Sequence, residues 1–131
     1  MILARAQAQK PLRGVSSPFD TDILSQVLTP WFRYWVSYDP RPTLEKVTAP
    51  VLALTGEKDL QVPAKQNLPL IEQALRASGN RCYLVKEIPG LNHLFQSART
   101  GSPNEYAGIE ETMSPIAMET VADWILQVSA R

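Results

Sequence analysis

The chain has 131 residues, with 13 basic and 13 acidic side chains. The length allows one domain, residues 1–131. The net charge is zero, which excludes the basic excess that nucleic-acid binding needs. Hydrophobic residues make up 44%, which excludes wholesale disorder, and no apolar run approaches the ~20 residues of a membrane-spanning helix. We expect that the start, MILARAQAQK, is not a secretory signal. One cysteine excludes an internal disulfide framework, so we expect a soluble cytoplasmic protein.

The first 48 residues are predicted to form short helices over residues 2–9, 22–29, 31–37 and 44–47. Asp20 or Thr21 is a suitable cap for the second of these helices. Pro30 is predicted to begin the third, because proline is tolerated in a first helical turn. The prolines in DPRPT at 39–43 predict a turn, after which Thr43 caps the fourth helix.

Residues 49–131 predict a strand, a helix, a second strand, a long loop and a final helix, over residues 51–55, 64–78, 82–88, 89–112 and 115–129. The apolar run VLALT is typical of a strand that is buried on both faces of a parallel sheet. In the helix predicted over residues 64–78, Pro69 interrupts the apolar pattern, so we expect the regular helix to begin near Pro69. Gly79 is expected to end that helix.

This order of elements predicts an α/β fold, in which a right-handed crossover makes the two strands parallel. Two parallel strands alone are a poor core, because both faces need cover and each strand has an open edge. We therefore expect a short parallel sheet, with two strands per chain, that is flanked by helices. Self-association, or a partner that supplies further strands, is expected to complete it.

Two loops carry residue types that are suited to acid–base chemistry. Asp59 follows the first strand in GEKD, and His93, the one histidine of the chain, follows the second strand in PGLNH. Parallel strands point the same way, so both loops follow the carboxyl ends of the strands and lie side by side, where a carboxylate can orient an imidazole. Taken singly, a loop histidine is more often solvated, and a loop aspartate is more often a turn residue.

The segments VLALTGEKDLQVP and VKEIPGLNHLFQ, with a helix between them, resemble the C-terminal part of an α/β-hydrolase. The resemblance is to dienelactone-hydrolase-like and acylaminoacyl-peptidase-like serine hydrolases, and it covers nearly all of this chain but only the last third of their usual domain. It implies an esterase-like hydrolysis of carboxylic esters or related acyl bonds. Asp59 would be the acid and His93 the general base of a Ser-His-Asp triad, and Asp59 precedes His93 as the chain order of that group requires.

The same resemblance divides the chain into a helical, substrate-side segment, residues 1–48, and a strand-helix-strand-helix core, residues 49–131. The aromatic candidates for the substrate side are Trp31, Trp35 and Tyr38. The alternative for these three side chains is the ordinary packing of an amphipathic helix.

The nucleophile of these hydrolases lies in a G-x-S-x-G elbow, and this sequence has no such motif. Cys82 is a poor substitute, because it begins the second strand at the opposite end from His93 and fits a small buried hydrophobic residue. We therefore expect a C-terminal hydrolase fragment that carries the acid and the histidine and is inactive alone.

Two functions of different classes stay open. The first is the hydrolase fragment, with a complementing hydrolase N-terminal chain as its partner. The second is a non-catalytic α/β module that associates with itself or with another chain through its open sheet edges. We expect a homodimer. One histidine and one cysteine are too few for a closed metal site, and no glycine-rich phosphate loop is present, so we expect no metal and no organic cofactor.

Overall fold

A computed structural model describes residues 29–130 of the protein. The elements in this range are α1 (Pro30–Ser37), α2 (Arg41–Leu44), β1 (Val51–Gly56), α3 (Ala64–Ala77), β2 (Tyr83–Ile88), a 3₁₀ helix (Pro103–Gly108) and α4 (Pro115–Ser129). The helices that the sequence predicts over residues 2–9 and 22–29 lie outside the described residues, apart from Thr29. Every helix from residue 29 to residue 130 is too short or too polar to cross a bilayer.

The chain divides between Tyr38 and Asp39 into two units. The described part of the first unit is α1, which starts as predicted with Pro30 in its first turn. Thr29 caps this helix, because its hydroxyl oxygen accepts a hydrogen bond from the Phe32 N–H at 3.2 Å. The second unit contains both strands and the remaining helices. A single domain over residues 1–131 stays a prediction.

The two strands form a parallel sheet, as the alternation of strands and helices predicts. Their register runs from Val51 opposite Tyr83 to Gly56 opposite Ile88, so both strands end at the same level. Helix α3 connects the strands and packs against both of them. The prediction that β1 is buried on both faces is wrong: Thr55 and Gly56 are buried, but the first four residues are only half-buried. In the described part of the chain no third strand covers the outer edge of β1.

Helix α3 corrects the prediction that Pro69 marks the start of the regular helix. The helix begins at Ala64 and contains Pro69. Proline cannot donate to the carbonyl four residues earlier, which belongs to Lys65. Lys65 is exposed, so water can bond that carbonyl, while burial of Leu68 and Leu75 holds the helix on the sheet.

The end of α3 confirms the role that the sequence predicts for Gly79. Its φ of +74° lies in the left-handed region that glycine adopts without steric cost. The Gly79 N–H donates to the Arg76 carbonyl at 3.0 Å, and the Asn80 N–H donates to the Leu75 carbonyl at 3.2 Å. This pair of bonds is a Schellman motif, which satisfies carbonyls left open at the helix end.

Helix α2 lies earlier than predicted, at residues 41–44, and Thr43 lies within it and is not its cap. The Asp39 carboxylate fixes this start, because it accepts bonds from the Arg41 guanidinium at 2.6 Å and from the Arg41 backbone N–H at 3.1 Å. These bonds from Arg41 lower the pKa of Asp39 to about 2. Side-chain hydrogen bonding therefore places this turn of helix.

The hydrophobic core lies beneath the loop that follows β2. Ile88, Leu91 and Ala117 are buried together, and Leu54 and Phe95 pack against them. The start of α4 therefore packs against the loop that carries His93. The segment 89–112, predicted to be a loop throughout, also contains the 3₁₀ helix and an antiparallel bridge between Leu91 and Ser97.

Asn80 joins the segments that lead into the two strands. Asn80 is 8% exposed. Its side-chain N–H groups donate to the carbonyls of Val47 and Ala49, and its side-chain oxygen accepts from the Cys82 N–H.

Replacing Asn80 with alanine removes all three of these side-chain hydrogen bonds. We expect Asn80→Ala to lower the free energy of unfolding in urea by about 1–3 kcal/mol, the range for stranded buried polar groups. The exposed Asn104 provides the control, Asn104→Ala, and an equal loss in both variants would contradict this account.

Candidate active site

Two loops leave the sheet side by side. The acid loop, residues 57–63, follows β1, and the histidine loop, residues 89–97, follows β2. Because β1 and β2 are parallel and end in register, both loops start where the carboxyl ends of the two strands lie side by side. Open α/β sheets place functional groups at the carboxyl ends of their strands.

The backbones of the two loops lie in direct contact. The Glu57 N–H donates to the Ile88 carbonyl and the Lys58 N–H to the Leu91 carbonyl, each at 2.9 Å. Gly56 permits this contact: a Cβ at that position would overlap the Leu91 carbonyl and lie 2.7 Å from the Asn92 carbonyl oxygen. A glycine at the end of β1 is therefore a steric requirement of the site.

Two side chains of the acid loop strengthen the contact. A carboxylate oxygen of Glu57 accepts a bond from the Gly90 N–H at 2.8 Å. The Lys58 Nζ donates to the Ala98 carbonyl at 2.6 Å. Both bonds join residues more than 30 positions apart. The Glu57 bond holds the acid loop against the histidine loop, and the Lys58 bond holds it against Ala98, the residue that follows that loop.

Asp59 and His93, the two residues that the sequence predicts to meet, are in hydrogen-bond contact. Asp59 Oδ2 lies 2.8 Å from His93 Nδ1. The other carboxylate oxygen, Oδ1, accepts the backbone N–H groups of Gln61 at 2.9 Å and Val62 at 2.8 Å. The acid loop thus orients its own carboxylate, with one oxygen held by the backbone and the other aimed at the ring.

The environments of the two side chains differ as acid–base chemistry requires. The Asp59 side chain is 6% exposed, whereas the His93 side chain is 37% exposed. A carboxylate can only accept, so Nδ1 of a neutral His93 carries the proton and Nε2 keeps its lone pair. The arrangement can therefore take a proton at Nε2 while Asp59 stabilises the imidazolium that forms.

The aromatic candidates lie in the first unit. Trp31 and Trp35 stack on α1 with ring centroids 6.3 Å apart, and Tyr38 follows this helix. All three are exposed, at 70%, 60% and 45% of their surface. Their place on the substrate side stays a prediction.

Cys82 lies just before β2, at the opposite end of that strand from His93. It is half-buried, which corrects the expectation of a buried residue. Its backbone N–H donates to the Asn80 side chain, so its position is part of the strand's start. In residues 29–130, no three side chains of the types that ligate metals come together.

Sequence reasoning missed the polar residues that support the histidine loop: Asn92, Gln96 and Glu111. Asn92 is fully buried and Gln96 is 7% exposed. Their type and spacing look like ordinary polar loop residues. The one available signal is the asparagine immediately before the histidine, because asparagine often bonds to the backbone of its own turn.

In a comparison with known families, the model of the prolyl oligopeptidase family matches residues 25–111. The match covers about two thirds of the chain and includes both strands, the acid loop and the histidine loop. This family consists of α/β-hydrolase-type serine peptidases. Neither the curated proteins nor the solved structures contain a match to the chain.

The contact at Gly56 yields a prediction. We expect Gly56→Ala to lower the free energy of unfolding by about 1–3 kcal/mol or more, because the added methyl group must displace the Leu91 backbone. Gly108 has an open environment, so Gly108→Ala is the matched control and should change stability little. Urea denaturation measures both. A Gly56→Ala variant as stable as the control would show that the two backbones can separate at no cost.

Proposed function

The chain belongs to the prolyl oligopeptidase family of α/β-hydrolase-type serine peptidases, and on this basis we propose that it supplies the acid and the general base of a serine-hydrolase active site. The observation that carries the proposal is the 2.8 Å contact between Asp59 Oδ2 and His93 Nδ1. Two neighbouring loops hold this contact at the carboxyl ends of two parallel strands.

The proposed chemistry is acyl transfer to water. His93 Nε2 accepts the proton of a serine hydroxyl as that oxygen attacks the acyl carbon, and then returns the proton to the leaving group. In the second half, Nε2 takes a proton from the water that attacks the acyl-serine and gives it to the serine oxygen as the acid product leaves. Asp59 holds the ring in the required tautomer and stabilises its positive charge. The chain order, with the acid before the histidine, agrees with that of α/β-hydrolases.

The substrates proposed are carboxylic esters or related acyl bonds, among which the family name points to peptides. The narrower likeness to dienelactone-hydrolase-like and acylaminoacyl-peptidase-like enzymes is part of the proposal. So is a substrate-side role for Trp31, Trp35 and Tyr38, which their exposure on and after α1 supports.

The serine nucleophile is proposed to come from another segment, either a further part of the same protein or a separate hydrolase N-terminal chain. The 131 residues contain no G-x-S-x-G motif, which is the basis for this step. The donors that stabilise the tetrahedral intermediate are proposed to come from the same segment. Each such donor is worth about 10²–10³ in rate, so the Asp59–His93 pair alone is a poor catalyst.

An ester-hydrolysis assay tests this proposal. The 131-residue chain should hydrolyse p-nitrophenyl acetate no faster than its His93→Ala variant. In a second assay, the chain is combined with a serine-bearing hydrolase segment that restores activity. In this combination we expect Asp59→Asn to lower kcat by about 10⁴-fold and His93→Ala to lower it by at least as much. The exposed Asn104 again provides the control, because Asn104→Ala should leave the restored activity unchanged.

Two results would overturn parts of this proposal. Strong, His93-dependent hydrolysis by the chain alone would mean that one of its own residues is the nucleophile. Restored activity that survives both Asp59→Asn and His93→Ala would remove the catalytic role of the pair.

A second candidate function is self-association as a non-catalytic α/β module, which the outer edge of β1 favours. The Val51 N–H donates to the Cys82 carbonyl and the Glu57 N–H to the Ile88 carbonyl, so odd-numbered residues point their backbone groups at β2. The alternate residues, Leu52 and Leu54, therefore point theirs at the outer edge, where another strand can pair. The proposed occupant is a second copy of this chain.

Exposed apolar side chains on α4 add to this support. Ile116 is 47% exposed, Ile125 53% and Leu126 69%, while the same helix buries Ala117 and Trp124. An apolar helix with several uncovered large side chains is typical of a surface that a partner covers.

Light scattering tests the self-association. We expect a solution mass of twice 14.6 kDa at micromolar concentration. Leu52→Pro removes an outward N–H and should shift the mass to that of a monomer, whereas Leu52→Ala keeps the N–H and should stay dimeric. A wild-type chain of strictly monomeric mass would contradict this second candidate and leave the hydrolase proposal untouched.

A further inference from the structure

We propose that Asn92 is a positioning residue for His93: its buried side-chain amide holds the turn that presents the ring to Asp59. This inference rests on the proposed function, since it concerns the same acid–base pair. Asn92 is fully buried, and its contacts run to the backbone of the histidine loop and to Gln96. It therefore acts through the loop and not on a substrate.

The backbone of this turn is tightly closed. The Asn92 carbonyl accepts the Phe95 N–H at 3.0 Å, and the Asn92 N–H donates to the Gln96 carbonyl at 3.0 Å. His93 and Leu94 are thus the central residues of the turn. Phe95 has a φ of +58°, the left-handed conformation that ends a three-residue hairpin loop, although it is not glycine. A non-glycine residue in this region needs support from its surroundings.

The Asn92 side chain supplies that support from inside the turn. Its Oδ1 accepts the N–H groups of Leu94 at 2.9 Å and Gln96 at 3.0 Å. Its Nδ2 donates to Gln96 Oε1 at 2.9 Å. Only an amide of this length offers a double acceptor and a donor at once; aspartate keeps the acceptor and loses the donor.

Gln96 and Glu111 extend the support to the chain that leads into α4. Gln96 Nε2 donates to the Glu111 carbonyl at 2.9 Å, and the Ser97 N–H donates to the Glu111 carboxylate at 2.5 Å. The Ser114 N–H donates to the Phe95 carbonyl at 2.8 Å. The turn is therefore held on both sides, and satisfied buried networks of this kind are rigid.

This rigidity matters because packing alone does not hold the imidazole. The His93 side chain is 37% exposed, so part of the ring faces solvent, and its placement against Asp59 depends on the backbone of the turn that carries it. A turn that relaxes moves the ring away from Asp59 Oδ2, and the hydrogen bond weakens steeply with angle and distance. Asn92 thus controls the Nδ1 contact without touching either of its atoms.

Nuclear magnetic resonance of the imidazole nitrogens tests the inference, because His93 is the only histidine and its ring needs no assignment. At about pH 8, where an ordinary imidazole is neutral, the ratio of Nδ1–H to Nε2–H tautomers reports the bond to Asp59. We expect a high ratio in the wild type and a fall of about 2- to 10-fold in Asn92→Ala, the scale of one net hydrogen bond.

Two further variants separate positioning from a general loss of structure. Asn92→Asp keeps the acceptor for Leu94 and Gln96 and should retain more of the wild-type ratio than Asn92→Ala. Gln96→Met removes the outer support and leaves Asn92 in place, and it should give an intermediate fall. The exposed Asn104→Ala should leave the ratio at its wild-type value, and amide spectra report whether each variant is folded.

Each outcome decides between the two proposals. A wild-type ring whose tautomer ratio does not respond to Asp59→Asn overturns the acid–base pair itself, and the role of Asn92 with it. A wild-type ratio that depends on Asp59 but stays unchanged in folded Asn92→Ala overturns only the positioning role. If Asn92→Ala does not fold, an unchanged ratio in Gln96→Met overturns the inference, and a lowered ratio supports it.

Discussion

The close approach of two backbones, between the end of β1 and the histidine loop, is the constraint on which the site depends. Gly56 has no side chain, so the Leu91 carbonyl can lie against it and accept the Lys58 N–H. Asp59 comes one residue later and therefore starts within reach of His93. The contact between Asp59 and His93 follows from main-chain packing before their side chains are considered, and the bonds of Glu57 and Lys58 secure it.

The parts of this structure that sequence reasoning predicts are those decided by local pattern and by topology. The apolar run of β1 and the alternation of strands with helices are enough to predict parallel strands, and parallel strands are enough to bring Asp59 and His93 together. The predictions fail where side chains override local rules. Pro69 lies within a helix because Leu68 and Leu75 are buried, and α2 starts where the Asp39 carboxylate bonds Arg41.

Other features could not be predicted, because they join residues that are distant in the chain and ordinary in type. Glu111 bonds to Gln96 from 15 positions away, and nothing in a stretch of loop sequence indicates that pairing. The buried face of helix α4 also could not be predicted from the sequence. Its sequence is apolar on more than one face, so the pattern does not tell which side is buried; the structure buries Ala117 and Trp124 and exposes Ile116 and Ile125.

The way in which Asp59 is held has a consequence for how such a site can diversify. Its Oδ1 bonds to the backbone N–H groups at positions 61 and 62, which every residue except proline provides. The side chains of Leu60, Gln61 and Val62 are exposed and take no part in orienting the carboxylate through those bonds. Backbone N–H groups of this loop therefore orient the carboxylate, whereas its side chains determine the chemistry of the surface beside it. Mutation can reshape the surface beside the acid over many generations while the acid itself stays where it is.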